Sequence, residues 1–331
     1  MKRIQLCHTP TPVWRHPALD RLLGFELWVK RDDMTSGAAA GNKLRKLEYL
    51  LADAVARNAD VVLTCGGAQS NHARSTAIAA RELGLGSRLL LRTPDPATPP
   101  ALVGNLLLEQ LVGAELQFIT PAQYRERAVH LEAAAAELQR RGQTPYVIPE
   151  GGSNGLGALG YVRCIEELAE QQRRGELPQG LDLIALACGS GGTAAGVALG
   201  LGRYPEVAQQ VAALAVCDDR AYFEAVIAGI TTQARASDPE LAPPGPLAIH
   251  DGYVGPGYGI PSAEQLDFML RVARCSGLVL EPTYTGKALF GLAQLSPKPR
   301  RALFIHTGGL PGLLAVPEVM APAWGRAAVG P

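Results

Sequence analysis

An α/β protein built on parallel sheets is the fold class this sequence predicts, on three observations. Short apolar runs of strand length alternate with stretches of helical periodicity along most of the chain. One of these runs passes through the turn Gly189-Ser190-Gly191-Gly192 into a second apolar stretch, as a strand-to-helix crossover does. A chain of 331 residues, 47% hydrophobic and 19% charged, supplies ample core for about two domains.

In chain order, strands are expected at 27–30, 61–65, 88–91, 116–119, 146–148, 183–187, 213–217, 277–280 and 302–306, each a short β-rich or apolar run bounded by turn residues. Between them, Leu44, Leu47, Leu51, Ala54 and Val55 follow the i, i+3, i+4, i+7 rule of a half-buried helix. A helix over 71–83 follows, with Ser70 as its N-cap. A looser version of the same rule, through Phe268, Leu270, Val272 and Ala273, marks a helix opening at Ser262. The stretch 234–261, rich in Pro and Gly, reads as a functional loop carrying Gly255-Pro256-Gly257-Tyr258-Gly259. Residues 317–331 read as a loosely packed tail.

Composition excludes several function classes. A formal net charge of +0 with no basic stripe argues against nucleic acid and anionic membrane as partners. Six scattered cysteines without Cys-x-x-Cys read as free thiols in a reducing compartment, and the six histidines show no metal-ligand spacing. Met1-Lys2-Arg3-Ile4-Gln5 lacks the apolar core of a signal peptide, so the expected location is cytoplasmic. The uncharged run 183–202 contains Gly192-x-x-x-Gly196-x-x-x-Gly200, a membrane helix-packing pattern. The glycines at 189–192 interrupt it near its middle, which favours strand, turn and helix over a spanning segment.

The chemistry concentrates in Gly41-Asn42-Lys43 and Cys65-Gly66-Gly67-Ala68-Gln69-Ser70-Asn71-His72. Of six lysines (Lys2, Lys30, Lys43, Lys46, Lys287 and Lys298), Lys43 sits behind a glycine at the mouth of an apolar helix. An amine there can hold an aldehyde cofactor as a Schiff base, which points to pyridoxal phosphate. The turn Gly189-Ser190-Gly191-Gly192-Thr193 offers backbone amides and a helix N-terminus as a phosphate cradle. Two rival readings use neighbouring residues. Gly189-x-Gly191-x-x-Ala194 followed by Asp218-Asp219 matches a dinucleotide fingerprint, the mark of an NAD-dependent dehydrogenase, but starts past mid-chain and leaves Lys43 and Ser70 without a role. Gly151-Gly152-Ser153-Asn154-Gly155 is a formal hydrolase elbow with His250 or His306 as base and Asp182 or Asp218 as orienter; its crowd of glycines fits a backbone turn better.

Taken together, these residues resemble the 1-aminocyclopropane-1-carboxylate deaminase and D-cysteine desulfhydrase family of fold-type II pyridoxal phosphate enzymes. The likeness runs from Thr11-Pro12 through Trp28-Val29-Lys30-Arg31-Asp32-Asp33 to Gly308-Gly309. It includes Gln69-Ser70-Asn71-His72, Pro149-Glu150-Gly151-Gly152-Ser153, Gly257-Tyr258-Gly259, Tyr284-Thr285-Gly286-Lys287 and His306-Thr307-Gly308-Gly309. The resemblance implies that Lys43 is the Schiff-base lysine, that Asn71 contacts the cofactor's phenolic oxygen, and that Ser70, Asn71 and His72 receive the substrate carboxylate. It implies a phosphate cup at Ser190, Gly191, Gly192 and Thr193, a contact of Thr307 with the pyridine nitrogen, and Tyr258 and Tyr284 as active-site tyrosines, so that Lys43, Tyr284, Tyr258 and Ser70 are the catalytic candidates. Thr285 and Thr307 stand where the deaminase branch has Glu and Leu, so the resemblance favours elimination from D-cysteine or a related β-substituted amino acid; the alternatives within the family are ring opening of 1-aminocyclopropane-1-carboxylate and a cysteate-type lyase. Ala40, Glu281 and Thr283 replace the family's usual Gly, Asp and Val. The family pattern further implies a two-domain, tryptophan synthase β-like fold with helices on both faces of open, mostly parallel sheets. A small domain at 47–154 would be set into a large one made of 1–46 and 155–331, in a homodimer.

Overall fold

The computed structural model describes residues 1–326. Among them are ten strands: β1 (Val13–Arg15), β2 (Glu26–Lys30), β3 (Val61–Gly67), β4 (Gly86–Arg92), β5 (Glu115–Ile119), β6 (Pro145–Val147), β7 (Leu181–Cys188), β8 (Ala208–Ala215), β9 (Leu247–His250) and β10 (Arg301–Ile305). They form a six-stranded sheet of order β1-β2-β10-β7-β8-β9 and a four-stranded sheet of order β5-β4-β3-β6. Every strand pair is parallel except the edge pair β1–β2, as the α/β expectation requires.

The period of two along a strand sorts side chains to opposite faces, and the cores follow it. On β7, Ile184, Leu186 and Cys188 enter one buried cluster, whereas Ala185 and Ala187 enter the cluster on the other face. From Leu183 onward the strand is therefore apolar rather than alternating, as expected of a sheet covered on both sides. The first cluster is closed by the helices Gly155–Arg173 and Gly192–Arg203, where Gly196 and Gly200 do their packing work. A Cβ on Gly196 would lie 2.2 Å from the Ala158 carbonyl oxygen, and one on Gly200 would lie 2.7 Å from Ile165. The small-residue spacing thus serves close helix contact inside the core. Among the described residues, no helix is long and apolar enough to cross a membrane.

The helix Asn42–Ala56 buries Leu44, Leu47, Leu51 and Ala54 completely, each leucine contributing about 1.5–3 kcal/mol. Val55, expected on that face, is 42% exposed, because it falls one residue beyond the last buried turn. Four further expectations change. Residues 277–280 are in neither sheet: Leu278 and Leu280 are buried, but both edges of β10 are already taken by β2 and β7. The run 234–261 is no single loop, since the helix Arg220–Ser237 ends inside it and β9 pairs with β8 along Val211–Leu214. Strand β8 starts earlier than the expected 213–217: its ladder with β7 begins at Ala208, and the strand ends at Ala215. Within the expected tail, Met320 and Ala323 pack into the core beside the helix Ala263–Ser276; residues 327–331 lie outside the described residues. Edge strand β1 was not anticipated either, its three residues being too short to carry a pattern.

Candidate active site

Parallel strands point their carboxyl ends the same way, and ligand sites of open α/β sheets form there. A cleft opens at those ends, lined by Gly66 and Gly67 of β3, Ala187 and Cys188 of β7, and Thr307 and Gly308 just after β10. Lys43, Ser70, Asn71, His72, Ser190, Gly191, Thr193, Tyr258 and Tyr284 line the same space. Sequence elements more than 200 residues apart are thus brought to one place, and only Gly192 among the expected positions lies behind the wall rather than on it.

Lys43 occupies the first turn of its helix because Gly41 allows a sharp entry. Gly41 has φ +126°, and a Cβ there would lie 2.9 Å from the Thr307 carbonyl oxygen, which instead accepts a 3.2 Å bond from the Asn42 amide. The unusual approach Thr35–Ala40 is pinned rather than loose. The Thr35 hydroxyl accepts from Gly41 N at 2.8 Å, Ser75 donates to Ala39 O at 2.9 Å, and Arg74 donates to the carbonyls of Ala38 and Ala40. Two residues on, Arg45 is clamped by Asp32 through two 2.8 Å bonds and by Glu167 at 3.0 Å. Burial alone would raise the Asp32 carboxyl, but Arg45 and Lys30 hold it below the usual range. The Lys43 amine has no hydrogen-bond partner among the described residues, and desolvation pushes it down to about 8, against a smaller opposing pull from Glu150.

The glycine loop begins the helix Gly192–Arg203, and Gly191 has φ +76°. The amides of Thr193 and Ala194 donate to no described residue, while Gly192 N donates to Ser190 O at 3.0 Å and Ser153 Oγ at 3.3 Å. Behind the loop lies Lys46, which sequence reasoning treated as one lysine among several. Its buried amine donates to Gly151 O at 3.1 Å and Ser153 Oγ at 3.2 Å, and a Cβ on Gly192 would lie 2.8 Å from it. Burial, then the charge of Lys43, push Lys46 well below an ordinary lysine. Its place one turn after Lys43 was the available signal.

Ser70 caps the helix Asn71–Glu82, accepting from Ala73 N at 3.2 Å, so the cap and an anion-binding helix start coincide. Asn71 is oriented by residues that sequence reasoning missed. Asn105 donates to Asn71 Oδ1 at 3.2 Å and accepts from Arg74 Nε at 2.9 Å, which leaves the Asn71 amide group free to donate. His72 is buried, and desolvation followed by Lys43 and Lys46 hold it neutral. His72 Nε2 lies 2.8 Å from Thr64 Oγ1, and Thr64 also donates to Ile148 O at 2.8 Å, which fixes the ring against β3.

Tyr258 and Tyr284 share a 2.6 Å hydroxyl–hydroxyl bond with rings 6.0 Å apart. Burial raises both phenols, Tyr284 the more strongly. Tyr284 follows an irregular turn rather than the expected strand, and it precedes the helix Thr285–Gln294. Glu281 organises that turn, accepting from the amides of Thr283, Tyr284 and Thr285 at 2.8, 2.6 and 2.7 Å. Thr285 is fully buried against Glu281 and does not reach the cleft, whereas Thr307 does.

The rival chemistries lack their geometry. Ser153 bonds to Ser190 Oγ at 2.8 Å and to Lys46, with no histidine beside it; His306 is spent on Val279 O at 2.9 Å and on Gly308 N at 3.1 Å. Asp218 is exposed outside the cleft, and Asp219 caps the helix Arg220–Ser237.

The residues present fit pyridoxal phosphate. Unpaired amides at a helix start, beside the Ser190 and Thr193 hydroxyls and above a buried lysine, form a donor set for a phosphate. The unpartnered, partly deprotonated Lys43 suits an aldehyde, and the free amide of Asn71 suits a phenolate. Comparisons with known proteins agree. The family model described as pyridoxal-phosphate dependent enzyme matches residues 4–308. An Arabidopsis thaliana protein named bifunctional D-cysteine desulfhydrase/1-aminocyclopropane-1-carboxylate deaminase, mitochondrial, is 42% identical over 337 residues, covering 97% of this chain and 81% of that one. A Thermotoga maritima protein provisionally named 1-aminocyclopropane-1-carboxylate deaminase is 38% identical over 95% of this chain and 98% of its own length. The crystal structure of an ACC deaminase homologue superposes with a TM-score of 0.88 at 35% identity, covering 98% of this chain and 96% of that one. With its lysine, glycine loop and tyrosine pair converging on one cleft, the chain belongs to the pyridoxal-phosphate dependent enzymes, in their ACC deaminase/D-cysteine desulfhydrase family.

Proposed function

We propose that this enzyme removes the β-thiol of D-cysteine, releasing sulfide, pyruvate and ammonia. The observation that carries the reading is Thr307, a hydroxyl, at the cleft wall after β10. The nearby carboxylates are engaged elsewhere: Glu281 by three amides, Glu150 by Tyr124 at 2.5 Å and Arg127 at 3.0 Å, Asp33 by Arg31. Bound in the cleft, pyridoxal phosphate supplies the electron sink for loss of a proton from the amino acid's α-carbon. Thr307 offers the ring nitrogen one hydrogen bond and no charge, which gives a weaker sink than a carboxylate would. That suffices when a thiolate can leave from Cβ.

Lys43, Asn71 and the Ser190–Thr193 loop hold the cofactor in this reading, with Lys46 and Ser153 behind the loop. The substrate carboxylate sits on the amides behind Ser70, next to the His72 ring. Lys43 Nζ, pushed down to about 8, is the group suited to take the α-proton near neutral pH. Tyr284, kept protonated by burial and bonded to Tyr258, is suited to give a proton to the departing sulfur. A small domain at 47–154 set into a large one of 1–46 and 155–331 belongs to the same reading, supported by the two separate sheets. So does a cytoplasmic homodimer, to which the six free thiols are suited.

A second reading, ring opening of 1-aminocyclopropane-1-carboxylate, is favoured by the bifunctional name of the Arabidopsis relative. The test compares D-cysteine with the cyclopropane substrate in wild type and in Thr285→Glu/Thr307→Leu. Sulfide release should dominate in wild type and fall in the double variant. Ring opening without sulfide release in wild type would refute the elimination reading.

A further inference from the structure

Arg92, the last residue of β4, is a half-buried cation that the mechanism above does not use. Its guanidinium carbon lies 4.9 Å from the Tyr124 ring and 5.4 Å from the Tyr258 ring. No hydrogen bond or ion pair engages its side chain among the described residues. The rings satisfy a guanidinium face, but the five N–H donors at its edge want acceptors. Arg92 does not line the inner cleft. It lines the two hollows that open outward from it, one shared with Gly67, Glu150, Ser190 and Tyr258, the other with Gly67, Asn71, Tyr258 and Tyr284. A Cβ on Gly67 would come within 4.0 Å of its Nη2 atom, so the residue separating Arg92 from the cleft has no side chain.

The local charge leaves Arg92 available. Glu150 is occupied by Tyr124 and Arg127, Asp218 is exposed at the far rim, and Arg125 adds a second positive charge on the same side. Arg92 stands outside the inner cleft that Lys43 and Ser70 line, across Gly67 and Tyr258 from it, so the partner it suits is an anionic group that extends outward from a substrate held there.

We infer that Arg92 receives the distal carboxylate of S-carboxyalkyl cysteines, which extends the substrate class beyond D-cysteine; the inference rests on the elimination reading. For S-carboxymethyl-D-cysteine the Cα–H and Cβ–S bonds break. The Cβ–S electron pair leaves with sulfur as mercaptoacetate, which takes a proton, and the remaining 2-aminoacrylate takes up water to give pyruvate and ammonia. Arg92 touches only the tail and so sets specificity.

The test assays the holoenzyme with S-carboxymethyl-D-cysteine and with its neutral near-isostere S-carbamoylmethyl-D-cysteine, reading pyruvate. kcat/KM should favour the acid by about ten-fold or more, the scale of one charge-assisted hydrogen bond. In Arg92→Gln the ratio should approach one, whereas Arg92→Lys, which keeps the charge, should retain part of it. A ratio near one in wild type, or a preference that survives in Arg92→Gln or vanishes only in Arg125→Gln, overturns the assignment. A second arm needs no turnover: calorimetry of wild type and Arg92→Lys with (methylthio)acetate and its amide. The acid should bind more tightly in wild type and lose part of that preference in Arg92→Lys; equal affinities, or a preference that the variant leaves unchanged and that therefore belongs to the carboxylate seat behind Ser70, overturn the assignment. If D-cysteine itself yields no pyruvate, the elimination reading fails, and this second arm alone decides Arg92.

Discussion

The lowered amine of Lys43 makes the rate of cofactor capture a function of pH that differs from that of an ordinary lysine. In the apoprotein, desolvation moves this amine from 10.5 to about 8. At pH 7 roughly 9% of it is then neutral, against about 0.03% of an unperturbed lysine, a ratio near 300 that corresponds to ~3.4 kcal/mol at ~1.36 kcal/mol per unit. The sign is fixed by the charge: the folded state disfavours the ammonium form, so neutral amine accumulates as pH rises through 8 and is nearly complete by about 9.5. The assay mixes apoprotein with pyridoxal phosphate from pH 6 to 10.5 and follows Schiff-base absorbance, with Nα-acetyl-lysine as reference so that titration of the aldehyde cancels. Borohydride trapping and peptide mapping assign the product. The rate relative to the reference should be largest at low pH and decline above 8. A relative rate that stays flat to pH 10.5, or a label on Lys46, refutes the argument.

Two further outcomes follow from the same geometry. Gly192→Asp places a carboxylate among Ser153 and Lys46, where a Cβ already meets atoms at 2.6 and 2.8 Å, so cofactor affinity by absorbance titration should fall about 10–100-fold, ~1.4–2.8 kcal/mol; Asp218→Ala should change it less than about two-fold. Glu109 is fully buried, has no hydrogen-bond partner among the described residues and is raised by burial from 4.5 to about 9, so it is protonated in the fold and ionised when unfolded at neutral pH. That protonation supports the fold at low pH and its contribution fades as pH rises, by ~1.36 kcal/mol per unit between about 5 and 9. Denaturant unfolding at pH 6 and 8 should show wild type losing on the order of 2–3 kcal/mol that Glu109→Gln does not lose; parallel losses in the two proteins would place Glu109 as an ordinary carboxylate.

Most strands, and where the lysine, the glycine loop and the Ser-Asn-His turn fall in the fold, were legible because each is written in local pattern: apolar runs of strand length, a glycine before a helix, a polar residue at its cap. What stayed hidden depends on pairs far apart in sequence. Nothing near Asn105 signals that it orients Asn71 across 34 residues, and nothing near Glu167 signals its contact with Arg45 across 122. The expected strand 277–280 failed for the converse reason: its apolar alternation was real, and burial followed, but a strand also needs a free neighbour. Lys46 was visible by spacing and was passed over because a lysine is usually solvated.

The arginine that fastens Ala38 and Ala40 has a mechanical consequence. Arg74 belongs to the helix whose start carries Ser70, and the carbonyls it grips lie three and five residues before Lys43. Together with Ser75 it works as a tie rod between the carboxylate seat and the lysine, so those two points travel together in any breathing of the cleft. On the other rim Ser153 meets Ser190 at 2.8 Å, while the Glu150–Arg127 ion pair closes within residues 127–150 and ties nothing across the cleft. Movement along that side leaves the distance between amine and carboxylate seat unchanged, because the tie lies opposite.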